Sequence, residues 1–335
     1  MTTMAELIAG LPDQLRWAAR FEPPPVPEAS EVLVTGMGGS GIAGDVAAVV
    51  ADAYGGRVSV HKSYGLPGWV GAARPQVVAV SHSGNTEETL SSAAAALSAG
   101  LAPAVVSTGG RLVEMATERG WPLIVVPGGP QPRAAVGYLA GGTLRMAEAA
   151  GVVPAMSADL EEAAGVVEAL LGDGDGPAMS LARDLAEGLD GRVAVVYGGH
   201  GPAAVAAYRW KCQINENGKA PAYRGVLPEL DHNEIVGWDA FPSLGRDRIG
   251  IVTLCDRDAH PRVGLRARLT ADLVGDRVGI VGEVEAQGDS LLARLFSLMV
   301  VGDLVSVAIA ERAGVDPMPV EVIESLKQRL AEEES

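Results

Sequence analysis

An unbroken apolar run, Gln76-Val77-Val78-Ala79-Val80, passes directly into Ser81-His82-Ser83-Gly84-Asn85-Thr86-Glu87-Glu88-Thr89 and then into the alanine-rich stretch Leu90–Leu97. The run has the length and β-branched content of a buried strand, and the stretch after it has helical character. Three hydroxyls and a glycine therefore sit where a strand ends and a helix begins. A helix start offers unpaired backbone N–H groups and a partial positive charge, so Ser81, Ser83 and Thr86 would add side-chain donors to a place suited to a phosphate without a metal. Asn85 and Glu88 also have the spacing of a helix cap. A cap accounts for one or two polar residues but leaves three hydroxyls around Gly84 unexplained, and the two readings are compatible.

The same order of pieces recurs along the chain. Met4–Arg20 has amphipathic helical spacing and is stopped by Pro23-Pro24-Pro25. Strands are expected at Glu31–Thr35, Arg57–His61, Val77–Val80, Ala104–Ser107 and Leu123–Val126, with helices at Ile42–Ala53, Thr86–Ser98 and Arg133–Ala150. After a connecting region with one helical piece, Ala158–Leu171, and the break Gly172–Gly176, the pattern restarts. Strands are expected at Arg192–Tyr197, Ile249–Leu254 and Val278–Val281, and helices at Ala203–Glu216, Leu291–Arg312 and Val320–Leu330. Such alternation predicts an α/β fold with mainly parallel sheets covered by helices on both faces, giving three α-β-α layers. Val32–Gly41 and Val193–Gly201 share a strand, a glycine-rich turn and a helix start, which reads as an internal duplication. Two similar domains, 1–155 and 156–335, follow; only the first has a hydroxyl-rich loop, since the counterpart Leu254-Cys255-Asp256-Arg257-Asp258 is acidic.

Composition narrows the function. At 335 residues, the chain is long enough for two domains with real cores. A net charge of −16 repels nucleic acid and anionic membranes, so neither is expected as a partner. It would repel a phosphorylated metabolite too, so an anion site must supply its own local positive field. No 18-residue uncharged apolar run is present, and Met1–Gly10 carries Glu6 without a basic cluster, unlike a signal peptide. Cys212 and Cys255 have neither metal nor redox spacing, which fits a reducing cytoplasm.

Further residues stand out by position. Gly36-Met37-Gly38-Gly39-Ser40-Gly41 would let a backbone approach a ligand closely. Gly36, Gly38 and Gly41 match a dinucleotide fingerprint with Asp52 downstream, but two loops at adjacent strand ends bracket one small substrate better. Arg133, after Pro132, is either a surface arginine at a helix start or a guanidinium aimed at an anion. Glu216, at a helix end stopped by Gly218, meets a partial negative charge that should raise its pKa towards the range of a useful base; an exposed last-turn glutamate fits equally. His232 lies in the polar cluster Glu229–Trp238, as a structural histidine bonded to Asp231 or Glu234 or as an acid–base group. No second ligand lies at metal spacing from it. Lys327 falls about two turns beyond Pro319, where it could simply pair with Glu324.

Taken together, Gly36–Asp45, Ser81–Thr89, Glu216–Arg224 with Leu230–Trp238, and Asp316–Lys327 resemble the bifunctional phosphoglucose/phosphomannose isomerases, which are built from two sugar-isomerase (SIS) domains. The resemblance implies Ser81, Ser83 and Thr86 as phosphate-binding hydroxyls, with Ser40 and the Gly38-Gly39 backbone nearby. It implies Glu216 as the base between C1 and C2, Arg133 as the stabiliser of a charged enediolate, and His232 with Lys327 as the ring-opening pair. It further implies a homodimer in which the histidine is supplied by the partner subunit, a sugar-phosphate substrate, and no cofactor or metal. Two positions depart from the pattern. His82 stands where an aromatic is common, and Met318 stands where relatives often have a threonine associated with accepting the mannose epimer. A methionine there predicts weaker turnover of mannose 6-phosphate than of glucose 6-phosphate. A phosphosugar-binding regulator, or an isomerase of another sugar phosphate, is the alternative.

Overall fold

A computed structural model describes residues 2–333. The first half runs α1 (Met4–Ala9), α2 (Leu11–Arg20), β1 (Val32–Thr35), α3 (Gly38–Ala53), β2 (Val58–His61), α4 (Val70–Ala73), β3 (Gln76–Ser81), α5 (Glu87–Ser98), β4 (Ala104–Ser107), α6 (Gly110–Arg119), β5 (Leu123–Val125) and α7 (Val136–Ala149). The second runs α8 (Ser157–Leu171), α9 (Pro177–Gly188), β6 (Val193–Gly199), α10 (Pro202–Glu216), β7 (Ala222–Leu227), α11 (Pro242–Arg248), β8 (Ile249–Cys255), α12 (Pro261–Val274), β9 (Ile280–Glu285), α13 (Leu291–Ala313) and α14 (Glu321–Glu333). Short 3-10 turns cover Pro132–Ala134, Glu229–His232, Glu234–Val236 and Gly275–Arg277.

The strands form two parallel sheets, β2-β1-β3-β4-β5 and β7-β6-β8-β9. The second sheet repeats the order of the first four strands, the topological form of the duplication read from the sequence. Every residue of β1, β3 and β4 is buried, so these strands show no in–out alternation, as a sheet covered on both faces requires. In both sheets the chain leaves the first strand to one side and returns on the other. A crevice therefore opens at the carboxyl ends of β1 and β3, and another at those of β6 and β8.

Several elements differ from the sequence expectation. The N-terminal helix is two helices that meet at Gly10, the first opened by a capping box between Thr3 and Glu6. The helix expected from Arg133 starts at Val136; Arg133 lies in a 3-10 turn opened by Pro132, which follows the extended Gln131. Strand β9 starts two residues later than expected and runs on to Glu285. Unforeseen elements include β7, an edge strand with Tyr223 and Arg224 exposed, and the helices α6, α9 and α12.

One hydrophobic core joins both halves. Helix α13 has the length and composition of a membrane-crossing segment, yet 94% of its 18-residue apolar window is buried inside the protein. It packs against α8, α9 and α10, while α8 packs also on α2, so contacts cross the boundary expected near residue 155. Within this core Arg209 of α10 and Asp303 of α13 form an ion pair of 2.7 Å, both almost fully buried. Arg209 also donates to the Arg133 carbonyl at 2.8 Å and so ties α10 to the first half. Removing one member of a buried pair leaves the other charged and unsolvated. Arg209→Met should therefore lower stability by about 3–5 kcal/mol, read as a shifted urea midpoint.

Candidate active site

The crevice at the carboxyl ends of β1 and β3 is lined by the loops singled out in the sequence. Ser81 closes β3, and its hydroxyl accepts from Gly84 N at 3.1 Å and shares a bond of 2.9 Å with the Thr86 hydroxyl. Asn85 N donates to the Ser83 hydroxyl at 3.2 Å. His82 N donates to the Ser40 hydroxyl at 3.2 Å, which joins this loop to the first turn of α3, where Gly38 and Gly39 lie. Ser81, Ser83 and Thr86 thus share one loop, to which Ser40 is bonded. Ser81 is only 1% exposed and holds the loop from within, whereas Ser83 and Thr86 lie nearer solvent. Thr86, not Asn85, is the residue before α5, and its hydroxyl is spent on Ser81 rather than on capping. The Asn85 side chain instead accepts from Arg111 N at 2.9 Å at the start of α6.

Gly84 has a φ of +68°, and a Cβ there would come within 1.7 Å of the Gly109 carbonyl oxygen, so only glycine closes the turn. His82 is held below the ordinary histidine range by burial, which keeps it neutral near pH 7. Behind the first turn of α3, Lys62 packs against Gly41 and pairs with Asp45, whose own pKa is pushed up by burial against the pull of Lys62. Lys62 and Arg224 also lie over the Tyr208 ring, at 4.5 and 4.4 Å from its centroid, in a groove of about 350 Å³ between α3 and α10.

The loop at Pro132 connects this cradle to the second half. The Gly39 backbone lies against Pro132, and next to it Arg133 is buried, not on the surface. Arg133 Nε donates to Asn217 Oδ1 at 2.6 Å, and Asn217 in turn donates to the Ser306 hydroxyl at 3.0 Å. Arg133 Nη1 lies 3.9 Å from Glu216 Oε2. Burial pulls the Arg133 pKa below its ordinary value and the Glu216 carboxylate opposes it. Glu216 ends α10 and faces a concavity of about 600 Å³ lined also by Asn215, Lys219, Asp316, Pro319 and the first turn of α14. Asn217, Arg209, Lys219 and Gln131, which support this arrangement, were not singled out in the sequence. Adjacency to Arg133 or Glu216 was the one signal for Gln131, Asn217 and Lys219, and Arg209 had none.

The remaining candidates lie elsewhere in the single chain. His232 is exposed on a 3-10 turn. Neither expected partner holds it: Asp231 accepts from Arg266 and Thr270, each at 2.8 Å, and Glu234 accepts from the Tyr197 hydroxyl at 2.7 Å. Burial, then that glutamate, drives the Tyr197 pKa upward. Lys327 is exposed on α14, and among the described residues no ion pair joins it to Glu324. No residue of α14 is buried; Val322, Leu326 and Leu330 present an uncovered apolar stripe. The Met318 side chain packs against the core rather than lining the concavity, and it is the Met318 carbonyl that faces Arg133, at 2.8 Å. Among the described residues, no group of three or more His, Cys, Asp or Glu side chains is placed to hold a metal.

Comparison with known proteins shows the family of the chain. Residues 178–330 match the model of the bacterial phospho-glucose isomerase C-terminal SIS domain. The chain is 38% identical over 307 residues, 90% of each chain, to a bifunctional phosphoglucose/phosphomannose isomerase of Caldicellulosiruptor bescii. The chain belongs to the bifunctional phosphoglucose/phosphomannose isomerase family. A relative of the same name from Aquifex aeolicus is 35% identical, covering 89% of this chain and 90% of its own. In fold, the chain is similar to a hypothetical protein of known structure from Thermus thermophilus, with a TM-score of 0.76 and 16% identity over 99% of this chain and 90% of that one.

Because the Gly84 turn tolerates no Cβ, Gly84→Ala should cost about 1–3 kcal/mol and spoil the cradle. The check is a thermal-unfolding series with and without inorganic phosphate: wild type should gain stability from phosphate and the variant should gain little.

Proposed function

We propose that the protein is a metal-independent aldose–ketose isomerase that interconverts fructose 6-phosphate with glucose 6-phosphate, and with mannose 6-phosphate, through a cis-enediolate. The observation that carries this reading is the Glu216 carboxylate held beside the buried Arg133 guanidinium, one loop away from a hydroxyl-lined anion cradle. Family membership supports it through the names of the relatives.

The chemistry follows from this geometry. The Ser83 and Thr86 hydroxyls, the Ser40 hydroxyl and the first-turn N–H groups of α3 and α5 hold the phosphate, with Ser81 as their frame. Binding energy from that remote group orients C1 and C2 in the concavity beside Glu216. Glu216 removes a proton from one carbon and returns it to the other, while Arg133 stabilises the negative charge that develops on oxygen. A histidine can open the sugar ring near neutral pH. His232 points to solvent in the single chain, so in this reading it serves the site of a partner subunit in a homodimer, with Lys327 as its counterpart. The uncovered stripe on α14 supports such an assembly. The acidic charge and unpaired cysteines support a cytoplasmic setting.

The mannose preference takes a different footing from the sequence argument. Met318 acts through its carbonyl on Arg133 rather than through its side chain in the cavity, so its effect on the epimers is indirect.

EDTA-treated protein given fructose 6-phosphate should form glucose 6-phosphate in a dehydrogenase-coupled assay. Glu216→Gln should cut turnover by roughly 10²–10⁴-fold while phosphate inhibition persists. Phosphate binding without any turnover by the wild type would instead mark a sugar-phosphate-binding regulator.

A further inference from the structure

The segment Asp316–Pro319 borders the concavity beside Glu216 as a strap outside any helix or strand, so its carbonyls have no partners in a regular hydrogen-bond ladder. Side chains satisfy them instead. Arg133 Nη2 donates to the carbonyls of Pro317 and Met318, both at 2.8 Å, and Gln131 Nε2 donates to Met318 O at 3.1 Å. On the other side, Lys219 Nζ donates to Pro319 O at 2.6 Å, lies 3.4 Å from Pro317 O, and also donates to the main-chain carbonyl of Glu216. Its three ammonium protons are thereby matched to three carbonyls.

Lys219 occupies the left-handed region, with a φ of +51°, where a side chain is strained. That conformation turns the chain back at the end of α10 and sends the ammonium towards the strap. Burial, then the nearby Arg133 charge, lowers the Lys219 pKa, with Asp316 and Glu216 opposing. The strap is the segment from which α14 departs, and α14 has no buried residue of its own to anchor it.

We propose that Lys219 is a positioning residue that clamps the Pro317–Pro319 strap to the end of α10, and so fixes together the Arg133–Glu216 geometry and the α14 wall of the concavity. This rests on the isomerase reading for its activity arm but not for its structural arm. Lys219 holds two opposed structures through carbonyls, and its effect on the reaction passes through Arg133 and the strap. The phosphate cradle, on the far side of the Pro132 loop, does not depend on it.

The test compares full-length wild type, Lys219→Met, Lys219→Gln and Lys219→Arg by hydrogen exchange, by inorganic phosphate inhibition and by turnover of fructose 6-phosphate. In Lys219→Met and Lys219→Gln, exchange across residues 315–324 should rise by roughly tenfold, with the Ser81–Thr89 loop unchanged. Turnover number should fall by roughly tenfold or more, with little change in KM or phosphate inhibition. Lys219→Arg, which keeps a cationic donor, should recover protection of the strap and part of the turnover. Unchanged strap exchange in the Met and Gln variants overturns the clamp, whatever the activity. Raised exchange with normal turnover overturns its link to the reaction. A wild type that turns over no sugar phosphate removes the isomerase reading and leaves the exchange result to decide the clamp.

Discussion

The site depends on one buried guanidinium. Arg133 comes from the first half, and every partner of its head group comes from the second: Asn217, Glu216 and the carbonyls of Pro317 and Met318. A buried charge requires such complete engagement, because each lost partner returns part of the desolvation cost. The same residue therefore fixes the two halves against one another and places a cation beside a carboxylate. Arg209 and Asp303 reinforce it from below through the Arg133 carbonyl. The candidate anion cradle has a different basis: a frame around Gly84 in which the Ser81 hydroxyl holds Gly84 N and the Thr86 hydroxyl. The loop at Pro132 is where the two parts meet most directly, with the Gly39 backbone against Pro132 and Arg133 next to it.

The sequence carried much of this because the candidate binding loops are also the loops that end strands. The apolar runs of β1, β3 and β6 have no polar alternation, and glycine- or hydroxyl-rich turns follow at once, so both the parallel sheets and the cradle were legible. The order of the second sheet was less so. Strand β7 is a half-exposed edge whose pattern, with Tyr223 and Arg224 outward, resembles a loop, and α12 has too weak an apolar face to announce itself. Single residues were harder still. Arg133 read either as a surface arginine or as a guanidinium aimed at an anion, because what buries it lies more than eighty positions away. Asn85 read as a cap because the competing bond to Arg111 N is a tertiary fact.

Met318 shows the limit from another side. The identity of the residue was visible, and so was its departure from the threonine of the resembled motif. The direction of its side chain was not. A flexible apolar chain next to a large core packs into it, and the contact with Arg133 passes to the carbonyl, a group that every residue type carries.

The strap also separates the two parts of the candidate site along the chain. The hydroxyl loop's side-chain bonds close among residues 40–111, whereas the bonds that hold the Arg133 guanidinium reach across to residues 317 and 318. A substitution in the strap therefore disturbs the setting of the Arg133–Glu216 pair and leaves the internal bonds of the hydroxyl loop intact.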